Sequence, residues 1–300
     1  MQSRVSAALV LGVCLGVLGL SLWLGLRIPA VTTPLDRLNV VTTIYPLADF
    51  VKHVGGEFVY VSNLIPAGVE PHDYEPTPRQ VAQVLEADVL IYLGGGLDDW
   101  AGDLVDEAAR MGNLSLSIEK HVPLTEHDPH IWLDPIAAED IVTAIRDTLM
   151  AADPLHAEVY LHNAAVYLES LRALDSSFTS TLSHCQLNAI IVSHDAFSYL
   201  GRRYNFDIYP ISGLSPEAEP SANDLVRLAQ TARELGITTI FFETLVSPKL
   251  SATLAQEIAA STAVLNPLEG LSQAELQAGD NYLTVMDKNR EALGSAMLCQ

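Results

Sequence analysis

Residues 88–96 read DVLIYLGGG, a run of apolar and β-branched side chains that ends at three glycines. A continuous apolar run of this length, bounded by glycine, predicts a buried strand. The residues before it open with Thr77-Pro78 and carry Val81, Val84 and Leu85 at helical spacing, which predicts a helix. A helix followed by a buried strand is the repeating unit of an α/β fold, and this stretch therefore predicts a mostly parallel sheet covered by helices.

The same alternation extends along the chain in both directions. Strands are predicted over residues 38–44, 58–65, 189–192, 207–211 and 238–242, and helices over residues 47–53, 197–204, 224–235 and 249–260. We therefore expect an α/β protein of two lobes, each a mostly parallel sheet flanked by helices.

A long helical pattern separates the two groups of strands. Asp134 is a good N-cap with Pro135 after it, which predicts a helix to about Met150. A second helical pattern runs with few breaks from Pro154 to about Leu182. Such a helix either crosses one large domain or ties two lobes together, and we favour a rigid link. The predicted division is an N-terminal lobe at residues 36–152, a linking helix at 153–184 and a C-terminal lobe at 185–300.

The first 30 residues form a separate segment. Residues 5–26 are apolar or small and lie between Arg4 and Arg27, which is typical of an export signal. The run is long enough to span a bilayer, so cleavage after Ala30 and retention as an N-terminal anchor remain equal alternatives. Lipidation at Cys14 is disfavoured because Val13 is not a small residue. Either way the remainder is expected outside the cytoplasm, in a periplasm or anchored to the outer face of the cytoplasmic membrane.

Composition excludes some functions and leaves others open. The formal net charge is -21, which argues against nucleic-acid binding because phosphate contacts need a clustered cationic face. The 49% content of hydrophobic residues excludes a largely disordered chain. In an oxidising compartment Cys185 and Cys299 could pair as a disulfide, and the alternative is two unrelated buried thiols.

Three of the nine histidines occupy the positions where an α/β sheet holds ligands, in loops beyond the carboxyl ends of strands. His72 lies in a turn-rich loop after the strand that ends near Ile65, and His130 lies just before the capped helix. His194 follows the apolar strand 189–192 almost directly. A metal ion is the natural common partner of three imidazoles, and with one carboxylate they suit Zn(II).

The carboxylate ligand is left open by this argument. Asp280 in the segment GDNY and Glu243 in the segment FFET both lie at strand or loop ends. His121 and His127 flank the His130 loop, and His127 is a candidate auxiliary ligand or orienting group. The other four histidines lie in or near helical patterns, and they are His53, His156, His162 and His184. Asp134 or another acceptor is expected to orient one of the ligand imidazoles.

Several segments resemble one known family. They are PHDYEPTP at 71–78, DPHIWLDP at 128–135, SHDAF at 193–197 with Tyr199 and Arg203-Tyr204, Glu219-Pro220-Ser221, and Tyr282 with Asn289. Together they are similar to the zinc/manganese solute-binding proteins of bacterial metal-uptake ABC transporters. The resemblance implies two α/β lobes with the metal in the cleft between them, and it carries over His72, His130, His194 and Asp280 as the ligands. It implies no catalytic residue and no enzyme activity.

The resemblance also implies a partner and a cargo. The cargo is a divalent metal, with zinc favoured over manganese because a third histidine stands where manganese-selective members tend to carry glutamate, and imidazole is a poorer donor to the harder Mn(II). The partner is a membrane permease, and the soluble part is expected to be monomeric with only small lobe movements. Alternatives are a zinc-dependent hydrolase or lyase, since three histidines and an open position describe catalytic zinc, and a surface adhesin with the same fold.

Overall fold

The computed structural model describes residues 37–125 and 128–300. The export signal or anchor predicted at residues 1–30 and the auxiliary ligand predicted at His127 lie outside the described residues. Residues 37–300 cluster as one compact unit. Among the described residues, no helix is both long and apolar enough to cross a membrane.

The N-terminal lobe is built on a sheet of four parallel strands in the order β2-β1-β3-β4. The strands are β1 (Leu38–Thr42), β2 (Val59–Asn63), β3 (Val89–Tyr92) and β4 (Leu114–Ser117). Between them lie α1 (Tyr45–Gly55), α2 (Pro78–Leu85), α3 (Asp99–Gly102) and α4 (Val105–Arg110). All four residues of β3 are buried, as its apolar run predicts for a central strand. The Thr77 side chain caps α2 in a reciprocal capping box with Gln80.

Two long helices lead from the first sheet to the second. The first is α5 (Pro135–Ala152), and Asp134 caps it by accepting hydrogen bonds from the backbone N–H groups of Ile136 and Ala137. After a turn of 3₁₀ helix at Pro154–His156, α6 (Ala157–Leu182) continues for 26 residues. Its buried face packs against α1 and α5, and the predicted linking helix is therefore present.

The C-terminal lobe repeats the arrangement, with parallel strands in the order β6-β5-β7-β8. The strands are β5 (Ala189–Val192), β6 (Asp207–Pro210), β7 (Thr239–Phe242) and β8 (Ser261–Val264). The helices are α7 (Ser198–Tyr204), α8 (Ala222–Leu235), α9 (Lys249–Ile258), α10 (Gln273–Ala278) and α11 (Tyr282–Ala296). The two-lobed α/β fold with mostly parallel sheets is confirmed.

One apolar core runs through both lobes. Its buried residues include Val40 and Phe50 of the first lobe, Leu171 of the linking helix, and Ile190 and Met286 of the second. The final helix α11 reaches back to the first lobe, where the ring of Tyr282 packs edge-on against Phe50 with centroids 4.8 Å apart. The apolar core does not stop at residue 152 or at residue 184. The domain limits at these two positions stay a prediction.

A disulfide joins Cys185, just beyond the end of α6, to Cys299, just beyond the end of α11. The backbones on either side pair as well, since the N–H of Leu187 donates to the carbonyl of Met297 at 3.1 Å. The alternative of two unrelated buried thiols is thereby excluded.

Candidate metal centre

Four side chains from both lobes meet in one buried cluster, formed by His72, His130, His194 and Glu269. Each follows a strand of its own sheet: His72 follows β2, His130 follows β4, His194 follows β5 and Glu269 follows β8. The carboxyl ends of parallel strands lie at one edge of a sheet, so two ligands from each lobe face the same cleft.

The four groups are held at hydrogen-bonding distance. Glu269 Oε1 lies 2.8 Å from His130 Nε2, 3.1 Å from His194 Nε2 and 3.2 Å from His72 Nε2. The Nε2 atoms of His130 and His194 are 3.4 Å apart, and all four ligand atoms lie within 4.8 Å of one another. Three nitrogens and one oxygen therefore converge on one point.

This geometry fits a tetrahedral zinc ion. Zn–N bonds of about 2.0 to 2.1 Å place neighbouring ligand atoms of a tetrahedron about 3.3 Å apart. The His130–His194 separation of 3.4 Å is close to this value, and the three distances to Glu269, 2.8 to 3.2 Å, are shorter by up to about half an ångström. All separations lie within 4.8 Å, so small side-chain shifts complete a tetrahedron. Among the described residues, Glu269 Oε2 accepts no hydrogen bond although it is buried, so this carboxylate has spare capacity for a cation.

Two carboxylates orient two of the imidazoles by hydrogen bonds at Nδ1, the ring nitrogen that faces away from the cluster. Asp128 Oδ1 lies 2.8 Å from Nδ1 of His130 and also accepts the backbone N–H of His130 at 3.0 Å. Glu243 Oε1 lies 2.6 Å from Nδ1 of His194 and also accepts the hydroxyl of Ser193. A bond at Nδ1 fixes the tautomer and leaves Nε2 for a metal. Asp128 and Glu243 therefore perform the orienting role that the sequence offered to Asp134, which instead caps α5.

The ligands are shielded from water to different degrees. The side chains of His130 and His194 are 0% exposed, Glu269 is 1% exposed, and His72 is 10% exposed. His72 is therefore the ligand that water reaches. A buried site strengthens the attraction between a cation and the carboxylate, because little water screens it.

The charges in the cluster shift the pKa of each partner. Burial by itself lowers the pKa of His194, but the Glu269 charge and the bonds donated to Glu243 and Glu269 outweigh it and raise the pKa to about 10. Burial also lowers the pKa of His130, and bonds to Asp128 and Glu269 reverse the shift and raise it. Burial by itself raises the pKa of Glu269, and the neighbouring histidines, His194 foremost, hold it well below its usual range. Without metal the site is therefore an ion-paired cluster that carries protons.

A second acid lies beside the cluster. Burial, followed by the negative charge of Glu269, raises the pKa of Glu70 to about 8. Its Oε1 accepts the backbone N–H of His72 at 3.0 Å, which helps to fix the loop that carries this ligand.

The structure corrects one predicted ligand. Asp280 does not belong to the cluster: its carboxylate oxygens lie 2.6 and 2.7 Å from Lys288 Nζ. The residue immediately precedes Asn281, the N-cap of α11, and its charge is therefore satisfied within that helix end. The carboxylate that meets the three histidines belongs to Glu269. Glu243, the other acid considered, supports His194 from behind.

A sequence signal for Glu269 existed but was weak. The residue follows β8 by a few positions, in the segment LNPLEG, so it satisfies the same strand-end rule as the histidines. The sequence does not predict the strand itself, so the strand-end rule does not reach Glu269. The four residues of the strand, STAV, are mostly exposed and lack the apolar run that marks the central strands.

Two parallel α/β lobes around a buried cluster of three histidines and one carboxylate define a two-lobed metal-binding protein. Residues 40–296 match the family described as ZnuA, zinc-uptake complex component A, periplasmic, and the chain belongs to this family. The family resemblance seen in the sequence is thereby confirmed.

Two sequence relatives and one solved structure show the extent of the similarity. The zinc-binding lipoprotein AdcA of Streptococcus pneumoniae serotype 4 is 38% identical over 276 residues, which cover 86% of this chain and 55% of AdcA. The high-affinity zinc uptake system protein ZnuA of Bacillus subtilis is 35% identical over 282 residues, which cover 88% of each chain. The crystal structure of the Zn(II)-bound ZnuA-like domain of S. pneumoniae AdcA has a TM-score of 0.78 at 39% identity, over 87% of this chain and 99% of that one. This chain therefore spans about half the length of AdcA and most of the B. subtilis protein.

Proposed function

We propose that this protein captures zinc outside the cytoplasm and delivers it to the permease of an ABC transporter. The observation that carries the proposal is the convergence of three imidazole nitrogens and one carboxylate oxygen within 4.8 Å, in a cleft to which each lobe contributes two ligands. The ion is the cargo, held by His72, His130, His194 and Glu269.

The donor set favours zinc over manganese. Three imidazoles and one carboxylate make an N₃O site, and imidazole suits Zn(II) better than the harder Mn(II), which prefers oxygen ligands. Four protein ligands that include a single carboxylate also match the four-coordinate sites of zinc, whereas manganese sites are built mainly of oxygen ligands.

The same donor set argues against a hydrolase or lyase. Catalytic zinc keeps a position open for water or substrate, whereas Glu269 supplies a fourth protein ligand here. The ligands are also almost fully buried, so a substrate larger than an ion has no access to the metal. The family description names a component of zinc uptake, which supports transport over adhesion as the main role.

Delivery requires a partner in the membrane. The family is described as a periplasmic component of a zinc-uptake complex, which supports a permease as the receiver of the ion. The name lipoprotein given to AdcA supports attachment to the outer face of a membrane as the alternative to free diffusion. We propose that the binding protein acts as a monomer, with both lobes contributing to one site.

Metal analysis of the purified protein tests this function. We expect one zinc per chain, and we expect His130→Ala and His194→Ala each to abolish stoichiometric zinc in competition titration. His72→Ala should weaken binding as well, because it removes one of the four ligands. The matched control is His162→Ala, which removes an exposed histidine from the linking helix.

Retention of full zinc affinity in all three ligand variants would rule out the proposal. Equal loss in His162→Ala would point to a general effect of histidine removal. Delivery is tested separately by zinc uptake in cells that express the permease with or without this protein, and uptake that does not depend on the protein would exclude the transport role.

A further inference from the structure

One amide lies in the otherwise apolar buried face of α11. The buried residues of this helix follow helical spacing, and they are Tyr282, Val285, Met286, Asn289, Leu293 and Gly294. Asn289 is only 2% exposed. An amide in such a place is costly unless it is hydrogen-bonded, so its partners show what it does.

The partner of Asn289 is the backbone of a single residue, Asn266. Asn289 Nδ2 donates to the carbonyl oxygen of Asn266 at 2.7 Å, and Asn289 Oδ1 accepts the N–H of Asn266 at 2.9 Å. The amide therefore bonds to both the N–H and the carbonyl of Asn266 and fixes the backbone of that residue against α11. We refer to this contact as the Asn266–Asn289 pair.

The side chain of Asn266 forms hydrogen bonds that lead towards the metal centre. Its Oδ1 accepts the N–H of Leu268 at 2.8 Å, and its Nδ2 donates to Glu275 Oε1 at 2.8 Å. Leu268 adopts φ 61°, in the left-handed region that a leucine rarely occupies. The hydrogen bond that the Leu268 N–H donates to Asn266 Oδ1 stabilises Leu268 in that conformation. Glu269 is the next residue.

Glu269 depends on this backbone support. Its Oε1 faces the three histidines, and among the described residues its Oε2 has no partner. No other described side chain orients the carboxylate in the way that Asp128 and Glu243 orient two of the imidazoles. Apart from the three histidines of the cluster itself, its position is consequently set by the loop on which it stands.

We propose that Asn289 is a positioning residue for the fourth metal ligand: through Asn266 and Leu268 it places Glu269 against the three histidines. This inference rests on the proposed zinc-binding function, which it deepens. The affinity for zinc then depends on a helix that contributes no ligand and begins after the last ligand in the chain.

The test compares Asn289→Leu with Leu293→Ala, a buried residue one turn further along α11. Asn289→Leu keeps the branched shape at Cγ and removes both hydrogen bonds, whereas Leu293→Ala weakens the packing of the same helix and leaves the Asn266–Asn289 pair intact. We expect Asn289→Leu to raise the zinc Kd by about tenfold or more, the range seen when groups behind a ligand are removed. Leu293→Ala should lower the thermal midpoint and change the zinc Kd by less than about twofold. Equal changes of Kd in the two variants would overturn the proposal.

A double-mutant cycle separates positioning from a general structural role. If Asn289 acts through Glu269, the zinc Kd of Glu269→Gln should change by less than about twofold when Asn289→Leu is added. Additive losses would contradict the proposed route. Should Asn289→Leu fail to fold by circular dichroism, Asn289→Gln takes its place, because it keeps a polar amide and displaces it by one methylene, and the same outcomes decide.

A wild-type protein that binds no zinc would refute the proposed function itself, and this is seen before any variant is made. A wild type that binds zinc, with an Asn289→Leu variant of unchanged Kd, refutes the positioning role alone. The Co(II)-substituted protein adds a spectroscopic measurement. We expect its visible absorption to change in Asn289→Leu as Glu269 is displaced, and to be unchanged in Leu293→Ala.

Discussion

Glu269 is the residue that completes the site, and it shows how the chemistry of a position depends on its neighbours. The same side chain would be an ordinary loop acid in solution, but here three imidazoles hold its pKa well below the usual range against the opposing effect of burial. Asp280 also offers a carboxylate near the C-terminus, but it forms an ion pair with Lys288. The ligand is therefore decided by which acid faces the histidines.

Substitution of these two acids distinguishes their roles. We expect Glu269→Gln to weaken zinc binding by about a hundredfold or more, because it removes a charged ligand, whereas loss of groups behind a ligand costs about 10- to 100-fold. Asp280→Asn should leave the zinc Kd within about twofold of wild type, since its partner is a lysine and not the metal. Competition titration with a chromophoric chelator measures both, and the reverse order would restore Asp280 as the ligand.

Zinc binding should depend on pH over a wider range than a free histidine would give. Zinc requires neutral imidazole nitrogen, but in the metal-free protein the pKa of His194 is raised to about 10 and that of His130 is raised as well. Below those values zinc displaces protons, so we expect its apparent affinity to rise between pH 6 and pH 9, by about tenfold per pH unit for each proton released. The measurement is the zinc Kd at several pH values and constant ionic strength. A Kd that becomes constant just above pH 6.5 would mean that the neighbouring carboxylates do not raise the pKa of His130 and His194.

At the scale of elements, the four central strands and the edge strands β2 and β6 were predictable, whereas the edge strands β4 and β8 were not. β3 and β5 are buried at every position, and their apolar runs identify them in the sequence. β4 and β8 lie at the edges opposite β2 and β6, and they read LSLS and STAV, in which serine, threonine and alanine make up more than half of the residues. β2 (VYVSN) and β6 (DIYP) are edge strands as well, but aromatic and β-branched residues mark them, whereas four-residue strands rich in serine, threonine and alanine give a weaker pattern. Because the sequence does not predict β8, it does not indicate that Glu269 follows a strand.

The disulfide acts on two elements at once, because it ties the end of α6 to the end of α11. It closes a segment of 114 residues, which restricts the unfolded chain. We expect the double variant Cys185→Ser/Cys299→Ser to lose about 2–5 kcal/mol of unfolding free energy.

Urea denaturation of the metal-free protein measures this loss, and the wild type in reductant is the matched comparison. The zinc Kd of the folded double variant should stay within about twofold of wild type, because neither cysteine touches the ligands. An unchanged midpoint in both the variant and the reduced wild type would show that the disulfide adds no stability.

At the scale of the whole molecule, the lobes are joined by more than the linking helix. Tyr199 of α7 donates to the carbonyl of Asp128 at 3.2 Å, which ties the second lobe to the loop that carries His130. The N–H of Gly68 donates to the carbonyl of Leu271 at 2.9 Å, which ties the loop of His72 to that of Glu269. Arg203 of α7 lies 3.7 Å from Asp134, the residue that caps α5. Together with the shared apolar core, these contacts oppose a wide opening of the cleft.

The radius of gyration should therefore change little when zinc binds. We expect the metal-free and zinc-bound proteins to differ by less than about 1 Å in small-angle X-ray scattering, as in complexes whose partners are already organised. A larger difference would show that the lobes separate without metal, and the shared core would then have to open.

The sequence by itself determined the alternation of helices and strands, the two sheets, the long linking helix and the three histidines at strand ends. These features follow from local patterns of apolar spacing, caps and turn residues, which act over a few neighbouring positions. Only the tertiary structure decided that Glu269 is the fourth member of the cluster, that Asp128 and Glu243 orient the imidazoles, and that Cys185 meets Cys299. Each of these depends on residues far apart in the chain that pack side by side, such as Glu269 and His72, separated by 197 positions. A local pattern cannot specify which distant acid reaches a histidine, because the packing of the two lobes decides it.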